Sequence, residues 1–214
     1  MKAAKLHWIA SLEAPMEYSD ALGGFMRDLS NLRVAVLVAD GFEEAELIEP
    51  VQALKAAGAT VEILSTKQEQ IQAFRHHDKG VTVFAEGLID QANPDDYHAV
   101  LLPGGALNAD MLRVLPNVKA FLKRIQETGK PIAAICHAPW ELISAGLVQG
   151  RTLTSYHTIQ DDIRNAGGKW LDQDVVVDGN WVTSRQPDDI PAFNREMLEL
   201  FSRTASETAT TGTR

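Results

Sequence analysis

The chain has a single cysteine, Cys136, in 214 residues. That count excludes an internal disulfide, a cysteine-rich zinc site and an iron–sulfur cluster held by this chain alone, and it points to a reducing compartment. Positive charge is also scarce: 20 basic residues, none of them clustered, stand against 29 acidic ones, for a formal charge of −9. Phosphate neutralisation therefore supplies little binding energy, and no nucleic-acid partner is expected. The longest apolar runs fall far short of the roughly 18 residues a spanning helix needs, and residues 1–30 lack an apolar core followed by a cleavage-like site. No membrane partner is expected, and the expected location is the cytoplasm. Phosphate-cradling loops are missing too: there is no G-x-G-x-x-G, and Gly129-Lys130 runs into Pro131 rather than completing a Walker loop. His76-His77 and His157 have no further ligands at helical or hairpin spacing, so they read as surface histidines. Neither a metal nor an organic cofactor is expected.

With 45% hydrophobic and 23% charged residues, the chain can bury one sizeable core. Its pattern divides into an N-terminal extension (residues 1–31), one domain (32–202) and a C-terminal tail (203–214). The extension carries scattered apolar positions (Leu6, Trp8, Ile9, Leu22, Phe25, Met26) without a sustained period. It reads either as an arm packed on the domain or on a partner subunit, or as sequence upstream of an alternative start at Met26. From Ser202 onward the chain is Ser/Thr-rich and lacks large apolar residues, so it is expected to fray.

Between the ends, strand and helix patterns alternate. Leu32–Ala39 is a β-rich run, Glu43–Glu46 an acidic helix start, Gly58 a helix stop and Thr60–Ser65 the next strand, which together make a βαβ unit. Val81–Ala85 alternates weakly, while Ala99–Leu102 and Pro131–Ile135 are wholly apolar, as buried parallel strands are. Leu112–Thr128 reads as one amphipathic helix closed by Gly129, and Asp178-Gly179 as a hairpin turn before a final helix, Ile190–Phe201. This order predicts an α/β sandwich with a mostly parallel sheet and its ligand site at the carboxyl ends of the strands.

Three strand ends carry the candidate chemistry. Cys136 lies where a buried strand turns into a helix, between the small residues Ala134 and Ala138. A strand-to-helix elbow presents a nucleophile at the sheet edge, and helix amides lower a thiol pKa. The competing reading is a small buried hydrophobe. Glu43 and Glu46 share one helix face after the first strand, and one of them can reach the sulfur if the strands are neighbours, whereas Glu44 reads as a helix cap. A carboxyl group beside a half-buried thiolate would have a raised pKa and keep its proton, a role proposed for Glu46. The amides after Pro103-Gly104-Gly105, with that of His137, can hold a developing oxyanion. His137 is the candidate base, although adjacent side chains at a helix start diverge. Asp110, in the loop after Gly105, can orient His137 within the chain or from a neighbouring subunit, or is simply an exposed aspartate.

Four ordered motifs resemble one family. Phe42-Glu43-Glu44-Ala45-Glu46-Leu47, Leu101-Leu102-Pro103-Gly104-Gly105, Ala134-Ile135-Cys136-His137-Ala138-Pro139, and Val182-Thr183-Ser184-Arg185 with Pro187-Asp188-Asp189 resemble the PfpI-like branch of the ThiJ/PfpI superfamily. That branch is related in fold to class I glutamine amidotransferases, and the last motif also resembles its stress-induced bacterial members. The resemblance implies a flavodoxin-like three-layer α/β/α sandwich. It makes Cys136 the elbow nucleophile, Glu46 the carboxyl group bonded to it, and the Gly105 and His137 amides the oxyanion hole. It further implies a homo-oligomer, a dimer or a larger ring, in which an acidic residue of an adjacent subunit orients the histidine; Asp110 is the nearest match, in a loop one residue longer than usual. Tyr156 stands where other branches place a site histidine, and Ala138 replaces the glycine common after Cys-His.

The expected function is a stress-response cysteine hydrolase acting on peptides or on proteins modified by glyoxal or methylglyoxal. An oxidation-responsive, chaperone-like protein with little turnover and a cofactor-independent glyoxalase are the alternatives, because a reactive sulfur serves each chemistry.

Overall fold

The computed structural model describes residues 28–211, with side chains through Thr204; residues 1–27, where the arm and alternative-start readings fall, lie outside them. The extension's last residues already belong to the fold. Leu29 is fully buried and its amide donates to the Ala57 carbonyl at 2.8 Å.

The centre is a seven-stranded sheet. Strands β1 (Arg33–Leu37), β3 (Thr60–Ser65), β6 (Gly87–Leu88), β7 (Ala99–Leu102), β8 (Ile132–Ile135), β11 (Val175–Asp178) and β12 (Trp181–Ser184) are ordered β11-β12-β8-β7-β1-β3-β6. All pairs are parallel except β11–β12, the hairpin at Asp178-Gly179.

Strand alternation assigns each residue to one of two cores. Val34 and Val36 of β1, Ala99 and Leu101 of β7, and Ala133 and Ile135 of β8 face one apolar cluster. Ala35 and Leu37, Val100 and Leu102, and Ile132 and Ala134 face the other. The first face is covered by α1 (Glu44–Ala56) and α6 (Ile190–Thr211). The second is covered by α2 (Ala106–Arg113), α3 (Pro116–Glu127), α4 (Pro139–Ser144) and α5 (Gln160–Asn165). Both faces of the central strands are therefore dry, as their unbroken apolar sequences require. On α3, Val118, Phe121, Leu122 and Ile125 form the buried stripe, each contributing roughly 1.5–3 kcal/mol of burial.

Several elements differ from the sequence pattern. The single helix expected over Leu112–Thr128 is two, α2 and α3: Pro116 lacks an amide proton and occupies the first turn of a new helix. A hairpin of β4 (Gln70–Arg75) and β5 (Asp78–Phe84) joins the short β2 (Phe42–Glu43) in a separate three-stranded sheet, where only a weak strand at Val81–Ala85 was expected. Glu44, expected to cap its helix, instead anchors that hairpin by accepting from Arg75 Nη2 and the Val81 amide, both at 2.8 Å. Residues 169–170 and 152–153 form the remaining pair, β10 (Lys169–Trp170) with β9 (Thr152–Leu153). The last helix continues to Thr211, through most of the segment expected to fray. Its first turns are fixed by Phe193, Met197 and Phe201 in the core, and propagation from a formed helix adds a hydrogen bond per residue ordered.

The order β8-β7-β1 places the three chemistry-bearing strand ends side by side. From β1 the chain goes to β3 on one side, and β7 flanks it on the other, so the edge lies at a topological switch point, where ligand crevices form in such sheets.

Candidate active site

The strand β8 ends at Ile135, and the next residue adopts a backbone angle that side chains avoid: Cys136 has φ 63°. Such a conformation costs about 1–3 kcal/mol and persists only when its surroundings over-determine it. Two backbone bonds do so here. The Cys136 amide donates to the Ser184 carbonyl at 3.0 Å, and the Cys136 carbonyl accepts from the Tyr156 amide at 2.8 Å. Ser184 is itself held, its Oγ donating to the Asp174 carbonyl at 2.6 Å, and the adjacent Arg185 ties Asp172, Asp174 and Asp189 together. The cysteine is thus turned back over the sheet edge, 7% exposed.

This turn corrects the expectation that Cys136 and His137 diverge. The helix does not begin until Pro139, so helical side-chain spacing does not apply to the pair. The left-handed residue rotates the sulfur onto the neighbouring ring, and Sγ lies 3.2 Å from His137 Nδ1.

Glu46 comes from α1, beyond β1, and β7 stands between that strand and β8. It can face the sulfur, with neither carboxyl oxygen hydrogen-bonded among the described residues, because the residue in its way is Gly104. A Cβ on Gly104 would meet Glu46 Oε2, would lie 2.5 Å from Cys136 Cβ, and would lie 2.8 Å from the Ile135 carbonyl oxygen. The carboxyl group is fully buried, facing the Cys136 sulfur and the Gly104 backbone. Gly105 has φ 94°, and a Cβ there would stand 2.7 Å from the Glu43 nitrogen, so this position also requires glycine. With that turn, the amides of Gly105 and His137 are directed at the sulfur.

The electrostatics follow from burial. Desolvation, then the nearby charge of Glu43, pushes the Glu46 carboxyl well above the ordinary carboxylate range. Burial and then a charged Glu46 push the Cys136 thiol up, against the pull of the Gly105 and His137 amides. The expected lowering of the thiol by a helix terminus is therefore reversed. The helix α4 has six residues and starts three residues past the sulfur, too short and too distant to outweigh desolvation. Two acids this close cannot both ionise near neutral pH, so the pair carries at most one negative charge. When the charge is on sulfur, a protonated Glu46 can donate to it and two amides surround it. Burial and then the neighbouring His157 lower His137 from its ordinary value to about 4, so the ring is neutral and able to accept a proton.

The other sequence candidates are distributed around this centre. Glu43 turns its carboxylate to the hairpin, accepting from the His76 amide at 3.0 Å, and acts on the site through its charge. Tyr156 packs its ring on that of His137, centroids 4.9 Å apart, with Trp140 at 5.3 Å on the same imidazole. Asp110 lies on helix α2 rather than in a loop. It lines a groove of about 560 Å³ with Leu107, Met111 and Val114, and it is not the partner of His137 within the chain.

Two residues escape sequence reasoning. Asn108 is fully buried, its Oδ1 accepting from the Ala39 amide at 2.7 Å and its Nδ2 donating to the carbonyls of Pro103 and Gly104 at 3.0 and 3.1 Å. It fastens the end of β1 to the glycine turn, and its only sequence signal is an amide set among apolar residues. Thr158 places Oγ1 3.3 Å from His137 Nε2, and nothing in its sequence context marks it.

Fold and site together define an α/β sandwich protein with a cysteine on a strand-to-helix elbow. The chain belongs to the DJ-1/PfpI family, whose model matches residues 32–200. It is 44% identical over 169 residues to the deglycase TK1284 of Thermococcus kodakarensis, covering 79% of this chain and 99% of that protein. General stress protein 18 of Bacillus subtilis is 40% identical over 172 residues, covering 80% of this chain and 98% of the relative. Among solved structures, a two-domain protein from Anabaena variabilis with DJ-1/ThiJ/PfpI-like and ferritin-like domains superposes with a TM-score of 0.74 at 36% identity. The match covers 78% of this chain and 47% of that one, so this chain corresponds to about half of the two-domain protein. Among the described residues, no helix is long and apolar enough to cross a membrane.

Proposed function

We propose that this protein is a cysteine-dependent hydrolase that removes glyoxal- and methylglyoxal-derived adducts from proteins, with peptide-bond hydrolysis as the related activity of the same centre. The observation that carries the reading is the elbow sulfur of Cys136 lying 3.2 Å from a neutral imidazole. The likeness to a deglycase over nearly its whole length supports the substrate class.

The chemistry starts from a thiol. As Sγ approaches a carbonyl carbon, the S–H proton passes to His137 Nδ1, the sulfur electron pair forms the C–S bond, and the carbonyl π pair moves onto oxygen. The Gly105 and His137 amides hold that oxyanion, and Glu46, keeping its proton, donates to the sulfur before the bond forms. With an amide substrate, the proton on His137 goes to the departing amine and water cleaves the thioester. With a methylglyoxal carbinolamine, the net reaction consumes one water and releases the free amine and a 2-hydroxy acid.

The reading includes a cytoplasmic location and a homo-oligomer. Leu107 and Met111 on α2 and Val114 at its C-cap, 62, 42 and 64% exposed, form an apolar stripe at i, i+4 and i+7, a spacing that supports a contact face.

The substrate class is tested by comparing kcat/KM on a methylglyoxal-modified peptide, on free methylglyoxal and on an unmodified fluorogenic peptide. The modified peptide is expected to be turned over fastest. Turnover of free methylglyoxal alone would make the protein a glyoxalase. No turnover of any of the three, with stoichiometric oxidation of Cys136 by low peroxide, would make it an oxidation-responsive protein instead.

A further inference from the structure

A histidine that takes a proton through one ring nitrogen needs the other held, because a free imidazole divides its time between two tautomers and several orientations. Only the tautomer with an unprotonated Nδ1 can accept the Cys136 proton, which requires the hydrogen on Nε2. That nitrogen meets Thr158 Oγ1 at 3.3 Å. The ring is flanked by Trp140 and Tyr156, with centroids at 5.3 and 4.9 Å, so its plane is fixed and the remaining freedom lies in the tautomer.

We infer that Thr158 is a positioning residue that completes a Cys136–His137–Thr158 relay within one chain, accepting from the Nε2–H that His137 carries when its Nδ1 accepts from the Cys136 S–H. The inference rests on the reading of Cys136 as the nucleophile and adds to it. The hydroxyl suits both stages of proton transfer: its oxygen accepts from Nε2–H while the ring is neutral and continues to accept when the ring is an imidazolium. No bond beyond the S–H to Nδ1–H exchange changes. A carboxylate at this place would stabilise the imidazolium by charge, whereas a hydroxyl orients the ring without making it a stronger base. Thr158 reaches the ring because the turn at His157–Ile159 follows directly on Tyr156, whose amide is bonded to the Cys136 carbonyl. The nucleophile and the orienting residue are thereby clamped to each other through two residues of chain. Within the chain this arrangement makes no use of Asp110, which lines the α2 groove.

The test compares Thr158→Val, which keeps the branched shape and loses the hydroxyl, with Thr158→Ser, which keeps the hydroxyl, and with Asp110→Asn, in the full chain. Two readouts are used: the His137 tautomer, from the 15N shifts of its ring nitrogens, and the rate of Cys136 alkylation by iodoacetamide across pH. Neither depends on the physiological substrate, so the relay stands or falls separately from the hydrolase reading. The expected result is an Nε2–H ring in the native protein, a mixed tautomer in Thr158→Val with alkylation slowed roughly threefold to tenfold, the size of one neutral hydrogen bond, and recovery in Thr158→Ser. A native tautomer and rate in Thr158→Val would overturn it. So would a loss confined to Asp110→Asn, which would assign the orienting role to an aspartate of another subunit.

Discussion

Gly104 and Glu46 share one space: the position a Cβ of Gly104 would occupy is filled by the Glu46 carboxyl oxygen, with Cys136 Cβ on the other side. A helix on one strand thereby acts on a cysteine two strands away, because the residue between them has no side chain.

The substitution Gly104→Ala tests that relationship. The added methyl must displace either the carboxyl group or the elbow, both packed against backbone, which costs about 1–3 kcal/mol by overpacking. Displacing the sulfur from its amides should slow alkylation of Cys136 on the order of 10²-fold, the usual penalty for misplacement by about 1 Å. Urea unfolding and iodoacetamide kinetics on the same preparation check both numbers; native reactivity would show that Glu46 and Cys136 do not meet across Gly104.

Asn108 supplies a second test, at the base of the glycine turn. Asn108→Ala removes three hydrogen bonds and leaves the buried Ala39 amide without an acceptor, so stability should fall by about 2–4 kcal/mol. Turnover should fall with it, because the Gly105 amide is no longer fixed. Denaturant midpoints and kcat measured together decide this, and a drop in stability with full turnover would make Asn108 purely structural.

Glu141 gives a pH signature. It is fully buried, neither side-chain oxygen has a hydrogen-bond partner among the described residues, and burial raises its pKa well above the ordinary value. The native state therefore keeps this proton at pH values where the unfolded chain has lost it. Its contribution to stability is complete below the ordinary carboxylate range and is lost progressively as pH rises through the folded-state value. Glu141→Gln should match the native protein near pH 4.5 and become increasingly more stable than it toward pH 8. Equal midpoints across the series would mean that Glu141 is paired or hydrated in solution.

The histidine predicts an absence in the rate profile. With His137 at about 4, facing among the described residues the thiol, the hydroxyl of Thr158, the rings of Tyr156 and Trp140, the neutral Glu46 behind the sulfur and His157, the base form persists across the working range. A free-enzyme base at the ordinary histidine value of about 6.5 would bend kcat/KM downward below that pH. Between pH 5 and 8 the acid side should instead be flat, and an inflection near 6.5 would show the ring to be charged by a carboxylate that this chain alone does not bring to it.

The apolar strands at Ala99–Leu102 and Ile132–Ile135, the punctuating Gly58 and Gly129, and the Pro103-Gly104-Gly105 turn were legible in the sequence because burial and backbone geometry leave few residue types that satisfy them. From those strands the convergence of Cys136, Glu46 and Gly105 follows. The direct sulfur–imidazole contact does not, since it depends on a left-handed cysteine that side-chain spacing rules ignore. The hairpin at Gln70–Phe84 escaped because its anchors are distant in sequence, the Gln72 amide donating to Asp40 and the Arg75 side chain to Glu44, and only the folded chain brings these together. Thr158 is illegible for the same reason: a hydroxyl is significant only for what stands opposite it. The raised thiol required knowing how fully β8 and α1 bury the sulfur and its carboxyl neighbour.

The central claim is that Cys136 is the attacking atom and that the fold does not depend on it. Turnover of methylglyoxal-modified peptide by Cys136→Ala, set beside its thermal midpoint, tests this most directly. The account predicts no turnover above background with a midpoint within a few degrees of the native protein's; retained turnover in the variant would contradict it.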